Sequence, residues 1–455
     1  MTGCDQDTDT CVVCWAAPAI VQFTPCQHTI CCLTCSNQLY EQTRNLVRIQ
    51  CPICRANVVR AETPLLKACR LGHIEEVTHL LQLGGDINQH DNTKRTPLYY
   101  ACTGNYIPIV SLLLENRANI DAVTSSGQTA LYTASSHGYA DIVCLLLRHG
   151  ANTNCASYLG WTPLYVASGN RKMDILQHLL QNGAHVDAVC MSGATLLQKV
   201  CKDVSDMGVA IDVVRLLLQH GADVDHKDTS GCTPLVYACI WGHVDIVSFL
   251  LEHGGATVNI QTVDGQTPLF MACMKGHVDI VRILVAHGAD TNLHSIDNTT
   301  PLLMACFKEH KGIVRILLEH RANANITHTN NVTPLFVTCM NGNIEIASLL
   351  IDHGADVHNG TGQDLLWKPK PIHIACRHGY TNILELLLHK GAMVDEQDIY
   401  GYTGLIIASH LGFTQSVALL LQQGANVHHV SNSGETALHV ARKAGHEDII
   451  ALIHE

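Results

Sequence analysis

Gly265-Gln-Thr-Pro-Leu-Phe-Met-Ala-Cys-Met-Lys-Gly-His-Val-Asp-Ile-Val-Arg-Ile-Leu-Val-Ala-His-Gly-Ala-Asp290 reads as two short helices and the turns that end them. Pro268 suits the first turn of a helix, where it has no amide donor to lose. Gly276 ends that helix. Residues 278 to 286 form a second one, with Ile280, Val281 and Leu284 on a single face. Gly288 then takes the left-handed conformation that closes the second helix. A pair this short cannot bury its own apolar face, so neighbouring copies must supply the core.

Those copies are present. Thr267 has counterparts at Thr63, Thr96, Thr129, Thr162 and Thr195, spaced by 33, then at Thr233, Thr300, Thr333, Thr403 and Thr436, with Lys370 in the same slot. That makes twelve repeats, the last cut short at Glu455. The pattern resembles the ankyrin repeat and covers residues 62–455. The resemblance implies a mainly α fold, an elongated ankyrin-repeat solenoid whose broad surface suits a protein substrate. The chain thus divides into an acidic tail (1–10), a cysteine-rich module (11–55), a short linker (56–61) and the repeats (62–455). The linker has no Gly or Ser run and is too short for a flexible tether.

Within the array, Cys69, Cys102, Cys201, Cys239, Cys273, Cys306, Cys339 and Cys376 share one slot, which calls for a small buried side chain. His149, His220, His253, His287 and His353 precede the second-helix turn, a structural place near a helix C-terminus. Asn88, Asn154, Asn259, Asn292 and Asn325 are expected to stabilise turns. Arg117 and Arg321 stand where other repeats have Gly, so those turns are expected to be adjusted. Extra residues fall near 203–209, around Gly255, and at 360–368. The last insertion carries Leu365, Leu366 and Trp367, a candidate partner anchor.

Composition narrows the function. The 455 residues are 47% hydrophobic and 15% charged, with a net charge of −12. Residues 1–60 balance four arginines against four acids, so the acidic excess lies wholly in the repeats. No Lys/Arg cluster argues for nucleic acid. No stretch argues for a membrane span or secretory signal, so a cytoplasmic protein is expected, the nucleus left open. In a reducing compartment its 21 cysteines are ligands or buried residues, not disulfides. No phosphate loop, nucleophile elbow or paired-carboxylate constellation stands out.

Cys11, Cys14, Cys26, His28, Cys32, Cys35, Cys51 and Cys54 form four half-sites of metal-ligand spacing in 44 residues. Eight ligands make two closed tetrahedral sites at ~2.3 Å from sulfur, so two structural zinc ions are expected, with no open catalytic position. A module this small needs them: a structural zinc contributes on the order of 10 kcal/mol to folding. Cys31 precedes Cys32, which is taken as the ligand because it keeps the two-residue step to Cys35. Sequential and interleaved pairings of the half-sites both use all eight.

The order Cys-x2-Cys, Cys-x-His, Cys-x2-Cys, Cys-Pro-Ile-Cys-Arg, with Pro25 to His28 and Cys51 to Arg55, resembles a RING finger. The resemblance implies interleaving, with Cys11, Cys14, Cys32 and Cys35 on one zinc and Cys26, His28, Cys51 and Cys54 on the other. It also implies a shallow groove for a ubiquitin-conjugating enzyme at Val13, Leu39, Pro52 and Ile53. Arg55 falls where such ligases carry a donor that hydrogen-bonds both the enzyme and ubiquitin. The plainer reading is that the apolar residues fill the module's core and Arg55 is solvated. The expected activity is a RING-type ubiquitin transferase without a covalent intermediate, which brings a loaded conjugating enzyme to a substrate on the repeats. The alternative is a non-enzymatic scaffold whose zinc module caps the solenoid or mediates assembly.

Overall fold

The structure, a computed structural model, describes residues 63–170, 172–204, 206–327, 332–359 and 369–454, with the backbone of four short strands nearer the N-terminus. These are β1 (Val21–Phe23), β2 (His28–Cys31), β3 (Ile49–Gln50) and β4 (Asn57–Val58), paired antiparallel as β1 with β2 and β3 with β4. From Thr63 onward the described residues form twenty-four α-helices in twelve pairs. Number and phase follow the threonine spacing.

The repeat that opens at Thr267 shows why. Thr267 is extended, and its hydroxyl accepts a hydrogen bond from the Phe270 N–H at 3.1 Å. Helix Pro268–Lys275 runs to Gly276 at φ +84°, and helix Val278–Ala286 follows. A Cβ at Gly276 would also lie 2.8 Å from the ring of His310 in the next repeat, so glycine is required there twice over. Ile280, Val281 and Leu284 are fully buried, as are Ala272 and Cys273. The threonine cap recurs at Thr96, Thr129, Thr162, Thr233, Thr300, Thr333, Thr403 and Thr436. Each such cap contributes about 1 kcal/mol.

The chain divides into two compact units, one of Met1–Val200 with Asp212–Ala222 and one of Cys201–Ile211 with Asp223–Glu455. In the first unit the first helices that begin at Pro64, Pro97, Ala130 and Pro163 lie side by side in that order, and in the second those that begin at Pro234, Pro268, Pro301, Pro334, Pro371, Gly404 and Ala437, each packed on its own second helix.

Polar joints tie successive repeats. Asn154 Oδ1 accepts from the His185 N–H at 2.8 Å while its Nδ2 donates to the Gly183 carbonyl at 3.0 Å. Asn259, Asn292 and Asn325 make the same pair of bonds one repeat ahead. Asn88 accepts from Asn119 N–H. These asparagines therefore join one repeat to the next, beyond the local turn role their composition suggests. Asp121, Asp225 and Asp395 supply the accepting half alone. At the tips of the loops between repeats the joint is backbone to backbone. Tyr158 N–H donates to the Ser126 carbonyl, Met191 to Leu159, Val263 to Ser230, Ile296 to Asp264, and Asn432 to Tyr400.

One expectation needs correction. Arg117 and Arg321 keep the left-handed geometry, at φ 62° and 65°, so the turns are not adjusted. The bonds that follow them hold it: Ala118 N–H to the Leu113 carbonyl and Ala322 N–H to the Leu317 carbonyl, both 2.9 Å, match Ala289 to Leu284 at 3.0 Å after Gly288. The extra residues near 203–209 enter the second helix more than a loop: Met207–Gln219 has 13 residues against the usual 9. Gly255 absorbs its extra residue at φ 70°. The insertion at 360–368 lies outside the described residues.

Candidate protein-binding face

Of the residues expected to hold zinc, Cys11, Cys14, Cys26, Cys32, Cys35, Cys51 and Cys54 lie outside the described residues. His28 falls at the start of β2, where the backbone alone is described. Val13, Leu39, Pro52, Ile53, Arg55 and Trp367 also lie outside them.

The repeated cysteines are packing residues. All eight are buried, and burial pushes the thiols up, to about 12 at Cys69, Cys306 and Cys339. Thiols so held are poor nucleophiles and poor ligands. Among the described residues no group of three or more His, Cys, Asp or Glu is placed to hold a metal. The repeated histidines sit at second-helix ends as their position suggests. Nδ1 of His287 and of His353 lies 2.8 Å from the carbonyl four residues back, and His320 does the same.

One repeat opens differently. Lys370 replaces the threonine, and its backbone N–H donates to His373 Nδ1 at 3.0 Å. His373 is fully buried, and its Nε2 donates to the Glu396 carbonyl at 2.8 Å. Lys370 Nζ pairs with the Glu396 carboxylate, which His358 Nδ1 also contacts at 3.1 Å. Burial drives the Glu396 carboxyl up, but the bonds from Lys370 and His358 outweigh it and leave it below its ordinary value. Burial lowers His373, so its ring is neutral, with the proton on Nε2.

The exposed face of the first helices carries the most chemistry. In the second compact unit, the slot seven residues after each leading Thr or Lys370 holds Lys202, Ile240, Met274, Phe307, Met340, Arg377, His410 and Lys443. One place later stand Asp203, Trp241, Lys275, Lys308, Asn341, His378, Leu411 and Ala444. From Ile240 to Lys443 successive first helices lie side by side, so each slot becomes a row. Trp241 is 54% exposed, Phe307 47% and Met340 48%, and Lys275, Lys308, Arg377 and Lys443 are exposed beside them. Lys202 Nζ lies 5.7 Å from the Tyr237 ring centre.

Loops and first helices share a recess in this unit. A pocket of about 670 Å³ is lined by Arg377, His378, Ile407, His410, Leu411 and Lys443 from the helices and by Asp398, Tyr400, Tyr402 and Glu435 from the loops. Tyr402 Oη donates to Glu435 Oε2 at 2.6 Å, and that bond holds the carboxyl below its ordinary value. A cleft with apolar walls, aromatic hydroxyls and cations at its edge is suited to holding a peptide segment. Reading each repeat along the chain misses this face. The same slot compared between successive repeats of this unit carries the signal.

A family model described as ankyrin repeats (3 copies) matches residues 32–124, 118–190, 170–262, 198–295, 254–330, 288–361, 320–398 and 372–455. The chain belongs to the ankyrin-repeat family, an architecture of protein–protein interaction. No curated protein matches it. Among solved structures it is similar to the crystal structure of the human ASB11 ankyrin repeat domain, at 27% identity over 49% of this chain and 98% of that one, with a TM-score of 0.43. No helix among the described residues is long and apolar enough to cross a membrane.

Proposed function

We propose that this protein is a RING-type ubiquitin ligase whose N-terminal module recruits a ubiquitin-loaded conjugating enzyme and whose ankyrin repeats hold a protein substrate. The observation that carries the reading is the run of four half-sites, Cys11/Cys14, Cys26/His28, Cys32/Cys35 and Cys51/Cys54. Thiolates and an imidazole at these spacings suit two structural zinc ions. Bound zinc would supply shape and folding energy to the module. Val13, Leu39, Pro52 and Ile53 would offer the conjugating enzyme an apolar groove, and Arg55 would donate hydrogen bonds across it from a rigid fork. Membership in the ankyrin family supports the second half of the reading. Holding two partners close turns transfer into an effectively intramolecular step, and the ligase needs no nucleophile of its own.

The test is discharge of a ubiquitin-loaded conjugating enzyme in the presence of the full chain. Transfer should rise with the wild-type protein and fall at least about tenfold with Val13→Ala or Ile53→Ala, provided the variants retain zinc. Transfer that is no faster with the wild-type chain, or undiminished in both variants, overturns the ligase reading and leaves the scaffold.

A further inference from the structure

We infer that the first-helix face of the second compact unit docks an acidic peptide segment bearing large apolar side chains, contributed by a partner protein. The inference rests on the reading that the array holds a protein, and it names the chemistry of what is held. Four consecutive repeats place Ile240, Met274, Phe307 and Met340 in one row. Phe307 and Met340 are exposed and Ile240 and Met274 half-buried; a run of large apolar side chains reaching solvent is characteristic of contact surfaces, and methionine adapts to varied partner shapes.

Charge sets the sign of the partner. The protein carries −12 overall, yet none of its twelve first helices contains an Asp or Glu, while eleven of the twelve second helices do. Around the apolar run stand Lys275 and Lys308, with Lys202 and Arg377 at its two ends. The nearest carboxylates in sequence, Asp203 and Glu309, follow their first helices. First helices free of acid on an acidic chain, with cations around an apolar run, favour acid over base in a partner.

Dimensions agree with a peptide. Packed helices lie about 8–10 Å apart, so the three steps from Ile240 to Met340 cover about 25–30 Å. An extended segment of about eight or nine residues spans that length. A nucleic-acid strand fits less well. Its phosphates recur along the whole length and need cations throughout, whereas the middle of this row is apolar.

The test is unbiased selection of displayed random peptides, roughly 16 residues long, against the full chain. Enriched peptides are then titrated by fluorescence anisotropy. They should be rich in Asp or Glu together with Phe, Leu or Trp, and should bind more weakly as salt rises from about 0.05 to about 0.5 M. Phe307→Ala should weaken them about tenfold or more, and Lys275→Glu with Lys308→Glu should abolish the preference for acid. All three positions are exposed, so unchanged melting curves confirm that the variants fold. The inference falls if no peptide enriches, if those enriched are neutral or basic, or if the variants bind them as tightly as the parent. It falls equally if single-stranded oligonucleotide or a second copy of the chain competes for the face instead. Peptides seated elsewhere on the repeats would leave a protein-holding array standing and sink this assignment alone. The discharge assay is unaffected by either outcome.

Discussion

At the scale of single residues, two repeats stand apart. Three places in most repeats are left-handed and filled by glycine, but the repeat of Thr96 fills them with Lys94, Asn105 and Arg117, and that of Thr300 with Asn298, Glu309 and Arg321. A side chain at such a φ costs on the order of 1 kcal/mol, less for asparagine. At the place shared by the two arginines, a Cβ on Gly84, Gly150 or Gly288 meets nothing within 4 Å, so the cost is backbone strain with no crowding. Arg321→Gly should therefore raise the unfolding free energy by about 1 kcal/mol, read as a higher urea midpoint. A lower midpoint would show that the guanidinium makes contacts worth more than the strain. The substitution itself was legible in the sequence. That the turn would hold its shape was not, because the bonds that fix it belong to the helix before it and look the same in every repeat.

Among elements, the helix Pro371–His378 depends on a neutral ring. His373 accepts from Lys370 N–H on one nitrogen and donates to the Glu396 carbonyl with the other, and a second proton would set donor against donor. Burial lowers its pKa from the ordinary 6.5, and does the same at His243 and His310. As pH falls the unfolded chain takes up these protons first. The contribution to stability is thus whole above about 6.5 and is lost as pH drops through the lowered native values. The urea midpoint should fall between about pH 7.5 and about pH 5.5, and His373→Gln should flatten part of that slope. An amide fits the slot, since Gln198 Oε1 accepts from Thr195 N–H at 2.7 Å in another repeat. A midpoint constant across that range would refute the account. Helix order was plain from local punctuation by Thr, Pro and Gly. This cluster was hidden because Glu396 comes from the following repeat, and nothing near Lys370 in the sequence points to it.

For the whole molecule, the array is held by apolar side chains and hydrogen bonds between neighbouring repeats, whereas the N-terminal module is proposed to depend on metal. A chelator should then end conjugating-enzyme discharge while leaving most of the far-ultraviolet helical signal in place. Loss of that signal in step with zinc would mean the repeats fold on the module. The loop tips have a further consequence. Because Met191, Val263 and Ile296 make their joints through N–H groups, their side chains, 74%, 69% and 74% exposed, take no part in holding the repeats together. Those three positions are free to be rewritten: each unit can change what its loop tips display without loosening a rung.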